Sequence, residues 1–279
     1  MESKGRIFAI EEFSAFDGPG VRTTVFLKGC PLRCSWCHNP EGQCIAPDFF
    51  RSLSGCRNCG ECLKAGHGAL TEESIAACKY GLVKKFGEDY TAEALAEKLL
   101  KNRELLNAGG GGITFSGGEP LVQPEFVFPV SDLLKGKVHR ALQTSGAVSH
   151  AVFREALSHF DYVLYDLKIM DPVKHRAFTG ADNDCILENH RVLARSGIPF
   201  MTRIPLIPGV TDTAENIRQI AAFLRDNKAT YAELLLYNKL AGSKYRGLLR
   251  EYTPGFDENI APSPRLEIFE EFGIQAKVI

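Results

Sequence analysis

What this chain lacks narrows its class before any motif is read. No apolar run approaches the roughly 20 residues that a membrane-spanning helix needs, and stretches such as Leu234 to Tyr237 are far shorter. Neither sign of charge is in excess: 33 Lys and Arg face 34 Asp and Glu, for a net charge of -1. The charges are interspersed, so there is no basic stripe to neutralise phosphates. Neither a nucleic acid nor a membrane is expected as a partner. The N-terminal stretch MESKGRIFAIEEF carries charges where a signal peptide needs apolar residues, and a cytoplasmic monomer is the expectation.

What is present is length, apolar content and cysteine. With 279 residues and 44% hydrophobic content, the chain can bury a full core as one large domain with a small insert. Nine cysteines are many for a reducing compartment, and an odd count does not close a disulfide framework. Metal binding explains them better. Seven fall in two clusters, Cys30 to Cys37 and Cys56 to Cys78, while Cys44 and Cys185 stand alone.

Outside residues 44 to 88, short β-rich runs alternate with segments of helical period. Strands are predicted at Arg6 to Glu12, Thr23 to Lys28, Ile113 to Phe115, Arg140 to Gln143, Tyr162 to Asp166, Phe200 to Leu206, Ala232 to Tyr237 and Gln275 to Ile279. One helix is predicted from the N-cap Thr91 to Ala108, burying Leu95, Leu99 and Leu106. Others run from Thr213, with Ile217, Ile220 and Leu224 on one face, and from Asp184 to Ser196, stopped by Gly197. This alternation predicts an α/β fold with a parallel sheet, open or closed into a partial or complete barrel. Its site belongs at the C-terminal ends of the strands.

The loop after the second predicted strand reads Cys30-Pro31-Leu32-Arg33-Cys34-Ser35-Trp36-Cys37-His38-Asn39. Three closely spaced thiolates can hold three irons of a cubane and leave the fourth iron open, as a catalytic centre needs. Structural zinc stays open as the alternative, although His38 is poorly placed as a fourth ligand. This loop, with an aromatic residue before its last cysteine, resembles the signature of the radical S-adenosylmethionine (radical SAM) superfamily. Together with Gly18-Pro19-Gly20-Val21-Arg22 ahead of it, it is similar to the activating enzymes of glycyl radical enzymes.

The resemblance implies a partial (β/α)6 TIM-like barrel carrying a [4Fe-4S] cluster on Cys30, Cys34 and Cys37, whose open iron binds SAM. One electron then breaks the sulfonium C–S bond to give methionine and a 5'-deoxyadenosyl radical. Cluster potentials reach as low as about -700 mV, so a strongly reducing centre is available. By the same resemblance Gly117, Gly118 and Glu119, in Ser116-Gly117-Gly118-Glu119-Pro120, hold the SAM amino group. Asp166, Lys168, Ile169 and Met170 line the pocket, Arg203 contacts SAM, and Trp36 and His38 lie near it with Thr144 and Asn238. Gln143 stands where relatives commonly place an acidic cation ligand, which puts a monovalent cation in doubt. Asn238 replaces a His of many relatives.

Residues 44–88 break the alternation, between a core of residues 1–43 and 89–279. Cys56, Cys59 and Cys62 resemble the start of a bacterial ferredoxin run. Gly66 stands where that run places its fourth cysteine, and Cys78 is similar to the last cysteine of a second run. The resemblance implies one auxiliary [4Fe-4S] cluster on Cys56, Cys59, Cys62 and Cys78 in a ferredoxin-like insert, with a four-cysteine zinc knob as the alternative. Cys185 is expected in the core.

The implied reaction is abstraction of a hydrogen atom from a backbone glycine in the C-terminal loop of a large glycyl radical enzyme. The electron would come from a low-potential donor such as flavodoxin or ferredoxin. The rivals are a radical SAM enzyme acting on a small molecule and, from another class, a ferredoxin-like electron carrier or a zinc-binding module.

Overall fold

The computed structural model describes residues 3–279, so Met1 and Glu2 of the charged N-terminal stretch lie outside the described residues. Strand β1 (Lys4–Ser14) runs antiparallel to β2 (Arg22–Leu27). Next, β3 (Asp48–Arg51) and β4 (Val83–Phe86) pair only with each other, apart from the main sheet. Then β5 (Glu88–Thr91) adds to the outer side of β1. The remaining strands are β6 (Gly112–Gly117), β7 (His139–Thr144), β8 (Tyr162–Asp166), β9 (Phe200–Leu206), β10 (Tyr231–Leu236) and β11 (Gln275–Val278). The main sheet is ordered β11-β10-β9-β8-β7-β6-β2-β1-β5.

From β2 through β6 to β11 the strands are all parallel. Six of them, β2 and β6–β10, are the expected (β/α) core; β11 extends it by one parallel strand. Parallel strands covered on both faces need apolar runs rather than alternation. Val25, Ile113, Phe115, Leu142, Val163 and Ile204 accordingly have no exposed surface. The sheet ends at two edges, β5 and β11, so it is an open barrel. It is nonetheless strongly curved. Phe26, Ser116, Gln143, Asp166 and Pro205, from five successive strands, border one cavity, whereas four flat strand spacings would separate the outermost two by about 19 Å.

The helical signals act where the chain chemistry puts them. Thr91 Oγ1 accepts from Ala94 N, Thr213 Oγ1 accepts from Asn216 N, and Gly197 closes the helix Asp184–Ser196 at a φ of 80°. The helix expected from Thr91 to Ala108 differs: Ala92–Leu99 gives way to a 3-10 turn, Leu100–Asn102, before Arg103–Ala108. In that turn the Asn102 side chain donates to Glu12, while Leu95, Leu99 and Leu106 all remain buried.

Residues 44–88 fold into β3, β4 and two short helices, Glu61–Ala65 and Glu72–Ala77. Buried charges tie this module to the core. Lys28, without exposed surface, donates to Glu41 O and Asp48, and Arg250 grips the other Asp48 oxygen at 2.6 Å. Among the described residues no helix is long and apolar enough to cross a membrane.

Candidate active site

The loop after β2 is pinned from several sides. Cys30 N donates to Gln43 O, Arg33 N to Thr179 O, Ser35 N to Phe178 O, and Cys37 N to Cys34 O. Held this way, Cys30, Cys34 and Cys37 all border one cavity of about 310 Å³ at the C-terminal ends of the parallel strands. Burial, ahead of nearby negative charge, pushes the Cys30 thiol up to about 12. Burial does the same for Cys34, again to about 12, and raises Cys37. Thiolates here need a positive partner in place of the proton.

Lys168 borders the same cavity and bonds Asp166 Oδ2 at 3.1 Å. Burial works to neutralise it, but Asp166 and the Cys34 and Cys30 sulfurs outweigh this and raise its pKa. Asp166 Oδ1 and His38 Nε2 are buried without a partner among the described residues, and both residues border the cavity. Trp36 is nearly buried, packed with Ile169, Ile207 and Val210 and beside the Phe178 ring. Gly117, Gly118 and Thr144 complete this part of the wall.

Besides bordering the cavity, the glycines allow a close approach within the fold. A Cβ on Gly117, whose φ is 124°, would sit 2.2 Å from Leu27 N; one on Gly118 would sit 2.3 Å from both Gly29 O and Gly42 O. The close approach that demands glycine is to the end of β2 for Gly117 and to Gly29 and Gly42, on either side of the cysteine loop, for Gly118. Glu119 lies outside the cavity wall, with no exposed surface. Its carboxylate accepts from Thr144 Oγ1, Ser145 N, Ser145 Oγ and Leu121 N, which ties the end of β6 to the end of β7. Burial raises its pKa despite those donors.

Four more expected contacts also lie outside the wall. Ile169 packs behind Trp36, and Met170 N donates to Asn216 Oδ1. Arg203, 3% exposed, is occupied by Glu233 at 2.9 Å and by Phe16 O. Asn238 is exposed and accepts from Leu240 N, capping its own turn. Gln143 does border the cavity, and its carbonyl accepts from Ser116 Oγ. Sequence reasoning passed over Asp17, which borders the cavity with its carboxylate fixed by the Ser14 and Thr24 hydroxyls. Its signal was one residue ahead of the Gly18-Pro19-Gly20 motif.

A family profile described as the radical SAM superfamily matches residues 24–224. The 4-hydroxyphenylacetate decarboxylase activating enzyme of Clostridioides difficile (strain CD196) is 38% identical over 277 residues, covering 89% of this chain and 87% of that one. The isethionate sulfite-lyase activating enzyme of Nitratidesulfovibrio vulgaris is 35% identical over 279 residues, covering 91% of each chain. The chain belongs to the radical SAM superfamily, among the glycyl-radical-enzyme activating enzymes. In fold alone it is similar to a radical SAM methyltransferase from Sphaerobacter thermophilus, at a TM-score of 0.56 and 18% identity, over 99% of this chain and 73% of that one.

SAM and a [4Fe-4S] cluster are therefore the cofactors of this radical SAM enzyme. The cavity residues fit them: three half-buried thiols on one wall can supply ligands for three irons, and the unpartnered Asp166 and His38 atoms, with the Lys168 ammonium, offer charge and hydrogen bonds to a zwitterionic ligand.

The second cysteine set differs. Cys62 is buried on helix Glu61–Ala65, Cys59 is exposed, and Cys56 and Cys78 are half-buried. Backbone N–H groups turn toward two of the sulfurs: Asn58 N lies 3.4 Å from Cys56 Sγ, and Leu82 N lies 3.4 Å from Cys78 Sγ. The Leu82 amide, with smaller help from those of Tyr80, Val83 and Gly81, pulls the Cys78 pKa down. Among the described residues, no three His, Cys, Asp or Glu side chains are gathered as ligands of a single ion. Of the two lone cysteines, Cys44 is exposed and Cys185 packs partly buried against the main core.

Proposed function

We propose that this enzyme activates a partner glycyl radical enzyme, with Cys30, Cys34 and Cys37 as the ligands that leave one iron open to SAM. The bound pair supplies one-electron cleavage of the sulfonium C–S bond and a 5'-deoxyadenosyl radical that abstracts hydrogen from a glycine Cα. The chain's own residues do the positioning. Lys168 meets the SAM carboxylate, Asp166 Oδ1 accepts from a ligand donor, and Trp36 packs toward the adenine. Gly117 and Gly118 bring the β6 turn against the end of β2 and the residues flanking the cysteine loop, with Thr144 and His38 on the facing walls. A reactive alkyl radical attacks whatever C–H bond is nearest, so orientation and exclusion of water are the protein's main contributions. The observation that carries this reading is the convergence of three half-buried thiols with Asp166 and Lys168 in one cavity.

Residues 44–88 form, in this reading, an insert holding one auxiliary [4Fe-4S] cluster on Cys56, Cys59, Cys62 and Cys78. The N–H groups aimed at Cys56 and Cys78 support it, since they stabilise thiolate. A low-potential flavodoxin or ferredoxin supplies the electron. No monovalent cation is included, because Gln143 offers a neutral amide where relatives commonly place a carboxylate. Anaerobic reconstitution tests the whole: about eight irons, 5'-deoxyadenosine release under dithionite, and a glycyl radical signal by electron paramagnetic resonance on a glycyl radical enzyme. Colourless protein with stoichiometric zinc, or deoxyadenosine release driven only by a small metabolite, would overturn it.

A further inference from the structure

A second cavity, of about 550 Å³, adjoins the first and shares Asp17, Phe26, His38 and Asn39 with it. Its walls come from two parts of the molecule: β1 supplies Phe8, while β3 and β4 supply Phe50 and Phe86. Four rings run in series from one cavity to the other. Their centroids are 5.6 Å apart for Phe26 and Phe8, 6.5 Å for Phe8 and Phe86, and 5.6 Å for Phe86 and Phe50.

Two buried polar atoms on residues of this wall, His38 Nε2 and Glu41 Oε2, have no partner among the described residues. Glu41 is only 4% exposed, and its other oxygen takes the Lys244 ammonium at 2.8 Å. A buried acceptor left without a donor is costly, so the position calls for an N–H from outside the chain. Beside the cavity, the end of β1 exposes Phe13 at 52%, and the turn that follows it exposes Phe16 at 69%. Phe13 has a φ of 61°, a region that bulky residues avoid. The turn is held firmly: Asp17 accepts from Ser14 and Thr24, and Arg203 donates to Phe16 O. Rigidly displayed aromatics around an apolar groove are the makings of a docking site.

We propose that this seam between sheet and insert receives the partner's glycine-bearing segment in extended form. An apolar side chain next to the target glycine lodges among Phe8, Phe50 and Phe86, and a main-chain N–H donates to Glu41 Oε2. The proposal rests on the activating function above and adds where the substrate polypeptide lies. A glycine within a protein carries chain on both sides, which must leave the reaction cavity by some path. The adjoining groove supplies that path, continuous with the cavity at Asp17 and Phe26. It also gives residues 44–88 a role separate from electron transfer, as one wall of the substrate groove.

The test uses the cluster-loaded enzyme and synthetic peptides with a central α,α-dideuterated glycine flanked by either Phe or Asp. Deuterium transferred to 5'-deoxyadenosine, read by mass spectrometry, reports productive binding. The Phe-flanked peptide is expected to half-saturate at about tenfold lower concentration than the Asp-flanked one. That preference should vanish in Phe86→Ala and Phe50→Ala and survive in Phe86→Leu, with peptide-independent deoxyadenosine release unchanged in all three. A preference that persists in both Ala variants, or that favours Asp in the unmodified enzyme, overturns the groove and leaves the activating function standing. If an Ala variant loses peptide-independent release, the decision passes to benzoylphenylalanine at position 86: photocrosslinking to the Phe-flanked peptide supports the groove, and none overturns it. Absence of deuterium transfer from both peptides and from a glycyl radical enzyme overturns the functional reading itself.

Discussion

In the loop after β2, burial pushes the thiols of Cys30 and Cys34 up to about 12. In the 44–88 segment Cys78 goes the other way, drawn down by the Leu82 amide and its neighbours. The core hides its thiols in a cavity and leaves their charge to be balanced by metal and Lys168. The smaller segment has little core of its own and aims backbone N–H groups at the sulfur instead. The contrast is between thiols set around a cavity and thiols set against backbone N–H groups, which in the proposed reading separates a reacting site from a holding one. A cavity must be dry and partly unfilled to admit SAM, whereas a holding site needs only its ligands and their hydrogen bonds.

Replacing cysteines breaks this comparison most severely. Cys34→Ala should abolish deoxyadenosine formation and lower total iron from about eight to about four per chain. The pair Cys56→Ala and Cys59→Ala should cause the same iron loss with cleavage retained; iron assay and product chromatography distinguish the two. Next in size, Lys168→Met removes the core's own compensating charge and leaves Asp166 without its partner. SAM binding to the cluster-loaded enzyme should weaken by about 10- to 100-fold with iron content unchanged, as equilibrium binding would show.

Smaller effects fall on stability. Glu119→Gln loses charge-assisted bonds from Thr144, Ser145 and Leu121 at a buried site, and should cost about 2–3 kcal/mol in denaturant unfolding. Acid sharpens the comparison further, because it acts on the core through His190. Burial, with Arg191 second, brings His190 from the usual 6.5 down to about 3. Its folded pKa is depressed, so its contribution is complete above pH 6.5 and is lost as pH falls toward 3, when the unfolded chain takes up a proton that the fold refuses. The loss should be about 1 kcal/mol per pH unit between 6 and 4, and His190→Gln should flatten that slope in unfolding midpoints.

Legibility followed the strength of the local pattern. All eight predicted strands are present; for β2 and β6–β9 the reason is that buried parallel strands write apolar runs between turn signals, while β1 is antiparallel and more exposed. The strands that went unread, β3, β4 and β5, are four residues each and rich in charge, too short for a period to show. The interrupted helix kept its apolar spacing through the turn at Leu100–Asn102, so the break left no mark. In the site, the cysteines carried a strong spacing signal and Asp166 with Lys168 followed from the family resemblance; all five border one cavity. Asp17 has only its place one residue ahead of the Gly18-Pro19-Gly20 motif as a signal, and it joins the cavity through the β1–β2 turn, where Ser14 and Thr24 fix its carboxylate.

By itself the sequence determined the strand–helix alternation, the two cysteine sets and the family, all of which are encoded in residues near one another in the chain. Tertiary structure alone decided which side chains face the cavity. Curving the sheet brings β2 and β9 to one space, turns Glu119 inward to bind Thr144 and Ser145, and gives Arg203 to Glu233 and Phe16. The physical reason is that burial and hydrogen-bond pairing depend on neighbours distant in sequence, so a polar residue in a motif is free for a ligand only where the fold has left it no other partner.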